Sequence, residues 1–325
     1  MMEYVRMSQC VKRILLGSAA LLLSAGCSSS ATAASSARAT GSSAGLPLSR
    51  AVAERLPAGV FYVLAGTDPA SYNLWQVSNT GEEIRLTHNT TSLGISYFGA
   101  SKAGIVMADA ASGSDELAPL TSKGAVFLKN GNGSAPQINS AGEICYSVTT
   151  YDKKGNTTGF DLLTKKSFSA PGRVIYRQKE AITGNFWGPD QSIAVLSGSH
   201  YPGTNGPIAK VFTISKSGKI ATIKTGLDST LGSITWNEDG GGIGVASWAD
   251  KGEVIYSGSR RYTLPAGWSP ATWNTTGTQL LAWGPGSGQI GLWSPARPHS
   301  IEVIGSLPKG VTIGEFAWLA KPAKI

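Results

Sequence analysis

The sequence predicts an all-β fold: a β-propeller of about six four-stranded blades, its ring closed by the C-terminal strand pairing into the first blade. Three observations predict it. The stretch Pro270–Pro308 parses into four short strands, Ala271–Trp273, Gln279–Trp283, Gln289–Ser294 and Ser300–Gly305, separated by Asn, Gly and Pro turns. The same unit recurs along the chain, and its first strand ends in an aromatic or apolar residue every 37 to 49 residues or so. The two ends are complementary, because the first strand lacks an inner partner and the last strand lacks a successor.

Composition agrees. Of 325 residues 41 are glycine, and only 15% are charged, which suits short strands joined by tight turns. The formal net charge is +8. Loss of everything before Cys27 removes Arg6, Lys12, Arg13 and Glu3, which lowers the balance to +6. That charge favours anionic surfaces through long-range attraction and is equally that of a mildly basic soluble surface. The basic residues come in pairs, such as Lys153–Lys154 and Arg260–Arg261, with no stripe of the kind that reads nucleic acid.

Residues 1–26 read as an export signal. Lys12 and Arg13 form a positive n-region and Ile14–Leu23 an apolar core. That core is too short to span a bilayer, which takes about 20 helical residues. Translation starts at Met1 or at Met7; the second gives the more usual n-region. Leu23-Ser24-Ala25-Gly26-Cys27 resembles a bacterial lipobox, which implies cleavage before Cys27 and a diacylglycerol on its sulfur. The rival is ordinary cleavage after Ala31-Thr32-Ala33. Residues 27–57 are then the modified cysteine and a Ser/Ala/Gly-rich tether, with a helical turn or two within Leu46–Pro57. The propeller occupies 58–320 and a tail 321–325. Cys10 leaves with the signal, and Cys145, in an apolar strand, reads as a small buried hydrophobe.

Along the ring, inner strands are expected at Ile95–Phe98, Pro136–Ile138, Asn185–Trp187, Ser233–Trp236, Ala271–Trp273 and Glu315–Trp318. Second strands follow at Gly104–Ala108, Glu143–Val148, Ser192–Ser197, Gly242–Trp248 and Gln279–Trp283. Third strands follow at Asn73–Ser78, Glu116–Thr121, Gly159–Thr164, Lys210–Ser215, Glu253–Gly258 and Gln289–Ser294. Glycine, Asn and Asp in the intervening turns supply the positive φ that tight hairpins need. Val60–Ala65, a second-type strand without an inner strand before it, is completed by Ile313–Leu319. That closure removes exposed sheet edges. Lys123–Ala135 and Ser167–Ile182 are poorly patterned, so seven blades is the structural alternative.

NLWQVSNTGEEIRLTHN resembles the third and fourth strands of TolB-like, WD-repeat-like propellers, and SITWNEDG and ATWNTTG resemble that family's W-S-P-D-G turn. The resemblance covers most of residues 58–320 and implies the fold. With the lipobox it implies a propeller in a bacterial lipoprotein, without the helical domain that precedes the ring in TolB itself.

Chemistry-bearing motifs are few. His88, His200 and His299 fall in different blades without metal-ligand spacing, and no G-x-S-x-G elbow is present. The G-x-G-x-x-G at Gly286–Gly291 lies in a hairpin with no helix to receive a pyrophosphate. Asp152–Gly159 lacks the alternating oxygens of a calcium loop. No cofactor, metal or catalytic set is therefore expected. Asp190 and Asp239 read as turn residues, and Trp187, Trp236, Trp273 and Trp318 as packing between blades.

The second-to-third loops are the long ones, so the expected contact surface is their face, with Asp109, Asp115, Tyr151, His200 and Tyr201 as binding residues. These readings describe an exported propeller held to the membrane by a lipid on Cys27, which binds an envelope protein or polymer and no nucleic acid. The alternative is a propeller enzyme, lactonase-, lyase- or dehydrogenase-like, working at the channel mouth through Glu315, with Asn139 and Asn185 nearby.

Overall fold

The computed structural model describes residues 48–68, 71–88, 95–109, 116–125, 133–198, 209–227, 231–236, 238, 242–247, 254–257, 260–284 and 288–325. In chain order, blade 1 holds β1 (Val60–Gly66), β2 (Asn73–Ser78) and β3 (Glu83–Arg85). Blade 2 holds β4 (Ile95–Ser101), β5 (Gly104–Asp109), β6 (Glu116–Thr121) and β7 (Gly124–Ala125). Blade 3 holds β8 (Ser134–Ile138), β9 (Ile144–Tyr151), β10 (Thr157–Lys165) and β11 (Arg173–Gln178). Blade 4 holds β12 (Ile182–Trp187), β13 (Ile193–Ser197), β14 (Ala209–Ile214) and β15 (Ile220–Leu227). Blade 5 holds β16 (Leu231–Thr235), β17 (Ile243–Ser247), β18 (Val254–Ser257) and β19 (Arg260–Thr263). Blade 6 holds β20 (Ser269–Trp273), β21 (Leu280–Trp283), β22 (Gln289–Ser294) and β23 (Arg297–Ser306), and β24 (Thr312–Leu319) returns to blade 1.

These strands pair into six four-stranded antiparallel sheets, so the ring has six blades and not seven. The first sheet runs β24-β1-β2-β3. Val60 faces Leu319 and Phe61 faces Trp318, so the closure expected from the chain ends is present. The poorly patterned stretch 167–182 contains β11, an outer strand whose exposed positions carry Arg173, Val174 and Arg177 and so lack strict alternation. Arg177 is clamped by Asp161 of β10 through two hydrogen bonds at 2.7 and 2.9 Å.

The second strand of each blade reads as a nearly unbroken apolar run because it is covered on both faces. A strand points alternate side chains to opposite sides of its sheet, and each blade is flanked by two others. In β1, Phe61, Val63 and Ala65 join Leu281, Ile290 and Ile304 of blade 6. Tyr62 and Leu64 of the same strand join Phe98, Ile105 and Met107 of blade 2. The pattern repeats at the remaining interfaces, for example Cys145 and Leu162 against Trp187, Val195 and Phe212. Ala194 and Leu196 pack against Ile234 and Val245, and Ile255 against Trp273 and Leu280. Cys145 is fully buried, as expected, and its Sγ–H donates to Asn185 Oδ1 at 2.9 Å. Burial pushes the thiol well above its usual value.

Packing begins ahead of the boundary at residue 58. The helical turn expected within 46–57 is α1 (Arg50–Ala53), with Ser49 as N-cap, its Oγ accepting from Val52 N–H at 3.3 Å. A four-residue helix does not persist alone in water. Here Leu48, Val52, Ala53 and Leu56, at helical spacing, are buried in the interface between blades 1 and 6. An added Cβ at Gly305 would overlap the Val52 side chain, so the strap sits directly on β23. The tail also packs: Ala323 is buried and its N–H donates to the Tyr62 hydroxyl at 2.8 Å. Among the described residues no helix is long and apolar enough to cross a membrane.

Candidate functional site

Each inner strand ends at a turn on one face of the ring, and those ends converge around a cavity of about 390 Å³. Its wall includes Phe98–Lys102 from β4 and its turn, Gln137, Ile138 and Ser140, Phe186 and Trp187, Trp236 and Glu238, Thr272 and Trp273, and Glu315–Lys321. All six blades contribute. The turns are rigid for local reasons. Asn139 Oδ1 accepts from Ala141 and Glu143 N–H at 3.0 and 2.8 Å, and Gly142 takes φ 87°. Asn274 repeats the device in blade 6, accepting from Thr278 and Gln279 N–H at 2.9 and 3.1 Å.

Glu315 is the central acid. Its Oε2 accepts from Phe98 N–H at 2.9 Å, and Gln137 Nε2 reaches both its Oε1, at 3.5 Å, and Phe98 O, at 3.3 Å. Blades 1, 2 and 3 are thus joined along the channel wall. Desolvation pushes the Glu315 carboxyl up to about 8, only partly offset by the donors from Phe98 and Gln137. Strands β4 and β8 approach so closely here that a Cβ on Gly99 would lie 2.6 Å from Gln137 Cα. The second acid, Glu238, reaches from the blade 5 turn to blade 3, where Ser140 N–H donates to its Oε2 at 2.6 Å.

Two aromatic residues stand apart from the rest. Trp187, Trp273 and Trp318 are buried between blades, as expected. Trp236 also packs between blades, against the cluster of Leu196, Ile234 and Val245, but it is only half-buried where it lines the cavity. Its ring lies flat on Gly188, where an added Cβ would overlap it. Phe186 beside it is also half-buried. Trp187 and Trp318 donate their Nε1–H to Gln137 O and Ala58 O, both at 3.3 Å. The buried Trp273 Nε1–H has no hydrogen-bond partner.

Of the sequence-expected binding residues, Asp109 and Tyr151 are described, and neither borders this cavity. The long second-to-third loops leave the ring on the face opposite this cavity. Asp109 ends β5, with its backbone paired to Glu116. Tyr151 ends β9 with its side chain 63% exposed. Asp115, His200 and Tyr201 lie outside the described residues, as do Cys27 and Asp239. Asn139 and Asn185 do not border the cavity. Asn139 caps its turn, and the buried Asn185 links Cys145 to Ala135 O at 3.0 Å through its Nδ2. Asp152 closes its own loop, accepting from Lys154 and Asn156 N–H at 2.8 and 2.9 Å. Asp190 is a turn residue with φ 56°. Among the described residues no group of three or more His, Cys, Asp or Glu is placed to hold a metal ion. Of the residues that do line the mouth, Glu315 was visible in the sequence as an acid on an inner strand and Trp236 as part of the SITWNEDG turn; Gln137, Phe186, Lys102 and Lys321 carried no motif.

No protein-family model matches the chain, and no curated protein sequence does. Solved structures do match. TolB from Acinetobacter baumannii gives a TM-score of 0.61 at 13% identity, over 82% of this chain and 67% of that one. A chain from a nidogen/laminin complex gives 0.59 at 11% identity, over 82% and 100%. A structure from Bacteroides uniformis, provisionally assigned as a 6-phosphogluconolactonase, gives 0.50 at 9% identity, over 78% and 84%. At such identities the likeness is one of fold, and in fold this chain is a six-bladed propeller of the TolB-like kind.

Proposed function

We propose that this chain is an exported, lipid-anchored propeller that binds another component of the cell envelope, a protein or a polymer, without transforming it. The export segment, the lipobox-like ending at Cys27 and the Ser/Ala/Gly tether motivate the location. The observation that carries the binding reading is the state of the two mouth carboxylates. Glu315 and Glu238 are both engaged by backbone N–H groups, at 2.9 and 2.6 Å, and bind the ring together. In those positions they serve as structural links, Glu315 between blades 1 and 2 and Glu238 between blades 5 and 3.

In-cell crosslinking, mild solubilisation and co-purification test the reading. Intact protein should retain a specific envelope partner or polymer. Two variants, Trp236→Ala at the mouth and a shortened 199–207 loop, assign the face that holds it. Mass analysis of the mature N-terminus should find the acylated Cys27, and Cys27→Ser should release the protein from the membrane fraction. No specific partner in any sample overturns the binding reading. The enzyme alternative has one observation in its favour, the Glu315 carboxyl near 8 at the cavity; turnover abolished by Glu315→Gln would establish it.

A further inference from the structure

We propose that the channel mouth is a carbohydrate subsite, which seats one sugar ring of an anionic glycan against Trp236 and Phe186 with its charged substituent toward Lys102 and Lys321. This rests on the binding reading above and names the ligand class. Four observations lead to it.

The cavity, about 390 Å³, falls in the range of about 300–1,000 Å³ that small-molecule sites occupy. Its two half-buried aromatics differ from the fully packed indoles of the neighbouring blades. An aromatic face is electron-rich, and the C–H groups on one side of a sugar ring meet it with positive partial charge. Trp236 is fixed for this use, since one side of its ring rests on Gly188.

The polar groups are of the sort that bind hydroxyls. The Gln137 amide and the Glu315 carboxyl lie side by side on the wall. Near neutral pH a carboxyl raised to about 8 is mainly protonated, so it donates as well as accepts and adds little charge against an anion. Lys102 and Lys321 are exposed at the same mouth. Glu238 opposes them in sign, and its Oε2 is held toward blade 3 by the Ser140 N–H at 2.6 Å.

At the blade 2 wall a peptide fits less well. Extended peptides gain affinity by pairing with a free strand edge. At Phe98 that edge is already taken, the N–H by Glu315 and the carbonyl by Gln137. A sugar needs no strand edge and uses the side chains that remain.

The test is titration calorimetry on full-length, lipidated protein in nanodiscs, with three probes: tetragalacturonate, a neutral galactose tetramer and inorganic polyphosphate. Tetragalacturonate should bind saturably, and the neutral oligomer about tenfold more weakly. Trp236→Ala should weaken both sugars by about tenfold or more. Lys102→Ala with Lys321→Ala, at exposed sites that leave the fold intact, should weaken only the uronate, by about tenfold. Lys166→Ala, on another turn, should change nothing. Three results overturn the proposal: no saturable binding of either sugar; polyphosphate bound as tightly as the uronate and unaffected by Trp236→Ala; or sugar binding indifferent to both mouth variants. If crosslinking captures a protein through the mouth while no sugar binds, the carbohydrate assignment fails and the binding reading stands.

Discussion

Glu315 on the last strand and Phe98 in the second blade are 217 residues apart in sequence, yet the carboxylate of one accepts the backbone N–H of the other at 2.9 Å. The bond ties the closing strand of blade 1 to the inner strand of blade 2. Truncation by Glu315→Ala leaves the Phe98 N–H without its partner, which costs about 1–3 kcal/mol if water does not replace it. Urea unfolding should show that loss, with a smaller one for Glu315→Gln, which keeps an acceptor.

Two raised carboxyls set a pH dependence. Burial lifts Glu315 to about 8 and Glu83 to about 7, against an ordinary value of 4.5. Both Glu83 oxygens are buried without a hydrogen-bond partner, although the nearby Leu48 amide lowers the carboxyl slightly. For a group whose pKa is raised on folding, the unfolded chain ionises first. The stabilising contribution is therefore complete below about pH 4.5 and is lost as pH rises toward 7 for Glu83 and 8 for Glu315. Urea midpoints measured across that window should fall with pH in the wild type. Glu83→Gln should lessen the slope only up to about pH 7, whereas Glu315→Gln should lessen it there and remove it between about 7 and 8; unchanged slopes would refute the assignment.

Gly188 is required for steric reasons, since its φ is an ordinary −131°. Gly188→Ala drives a methyl into the Trp236 ring. Overpacking of this kind costs roughly 1–3 kcal/mol. A shifted tryptophan emission together with a lower urea midpoint would show that the ring has moved.

The three packed indoles are not equivalent. Trp318→Phe and Trp187→Phe each leave a backbone carbonyl without its donor, whereas Trp273→Phe removes an N–H that had no partner. With similar volume lost at each site, Trp273→Phe should be the mildest, by about 1 kcal/mol. Parallel denaturant titrations of the three variants decide it.

Leu48 and Val52 make the N-terminal strap part of the ring. Leu48 is 1% exposed and Val52 3%. Leu48→Ala should cost about 2–5 kcal/mol, as for a core leucine. A strap that merely lay on the surface would give a change within about 0.5 kcal/mol, and thermal denaturation separates the two.

Much of this fold was legible, and for identifiable reasons. Runs such as Val60–Ala65 and Ile193–Ser197 are apolar at successive positions because both of their faces are covered, and turn residues such as Asn274 and Gly277 mark where they stop. The outer strand β11 was hidden, because solvent on its exposed side removes the demand for apolar residues. The strap was legible as a helical turn but not as core, since four residues at helical spacing do not reveal what they pack against.

By itself the sequence determined the repeat, the blade boundaries and the ring closure, since these depend on local hydrophobic period and turn chemistry. The expectation of an export segment and of a modified Cys27 rests on linear order alone. Only the tertiary structure decided which side chains meet at the channel mouth. Gln137, Phe186, Trp236, Glu238 and Glu315 come from different blades, and no spacing along the chain encodes a distance across the axis. The long loops drew attention to one face by their length, but the cavity lies where the inner strands converge and their turns begin.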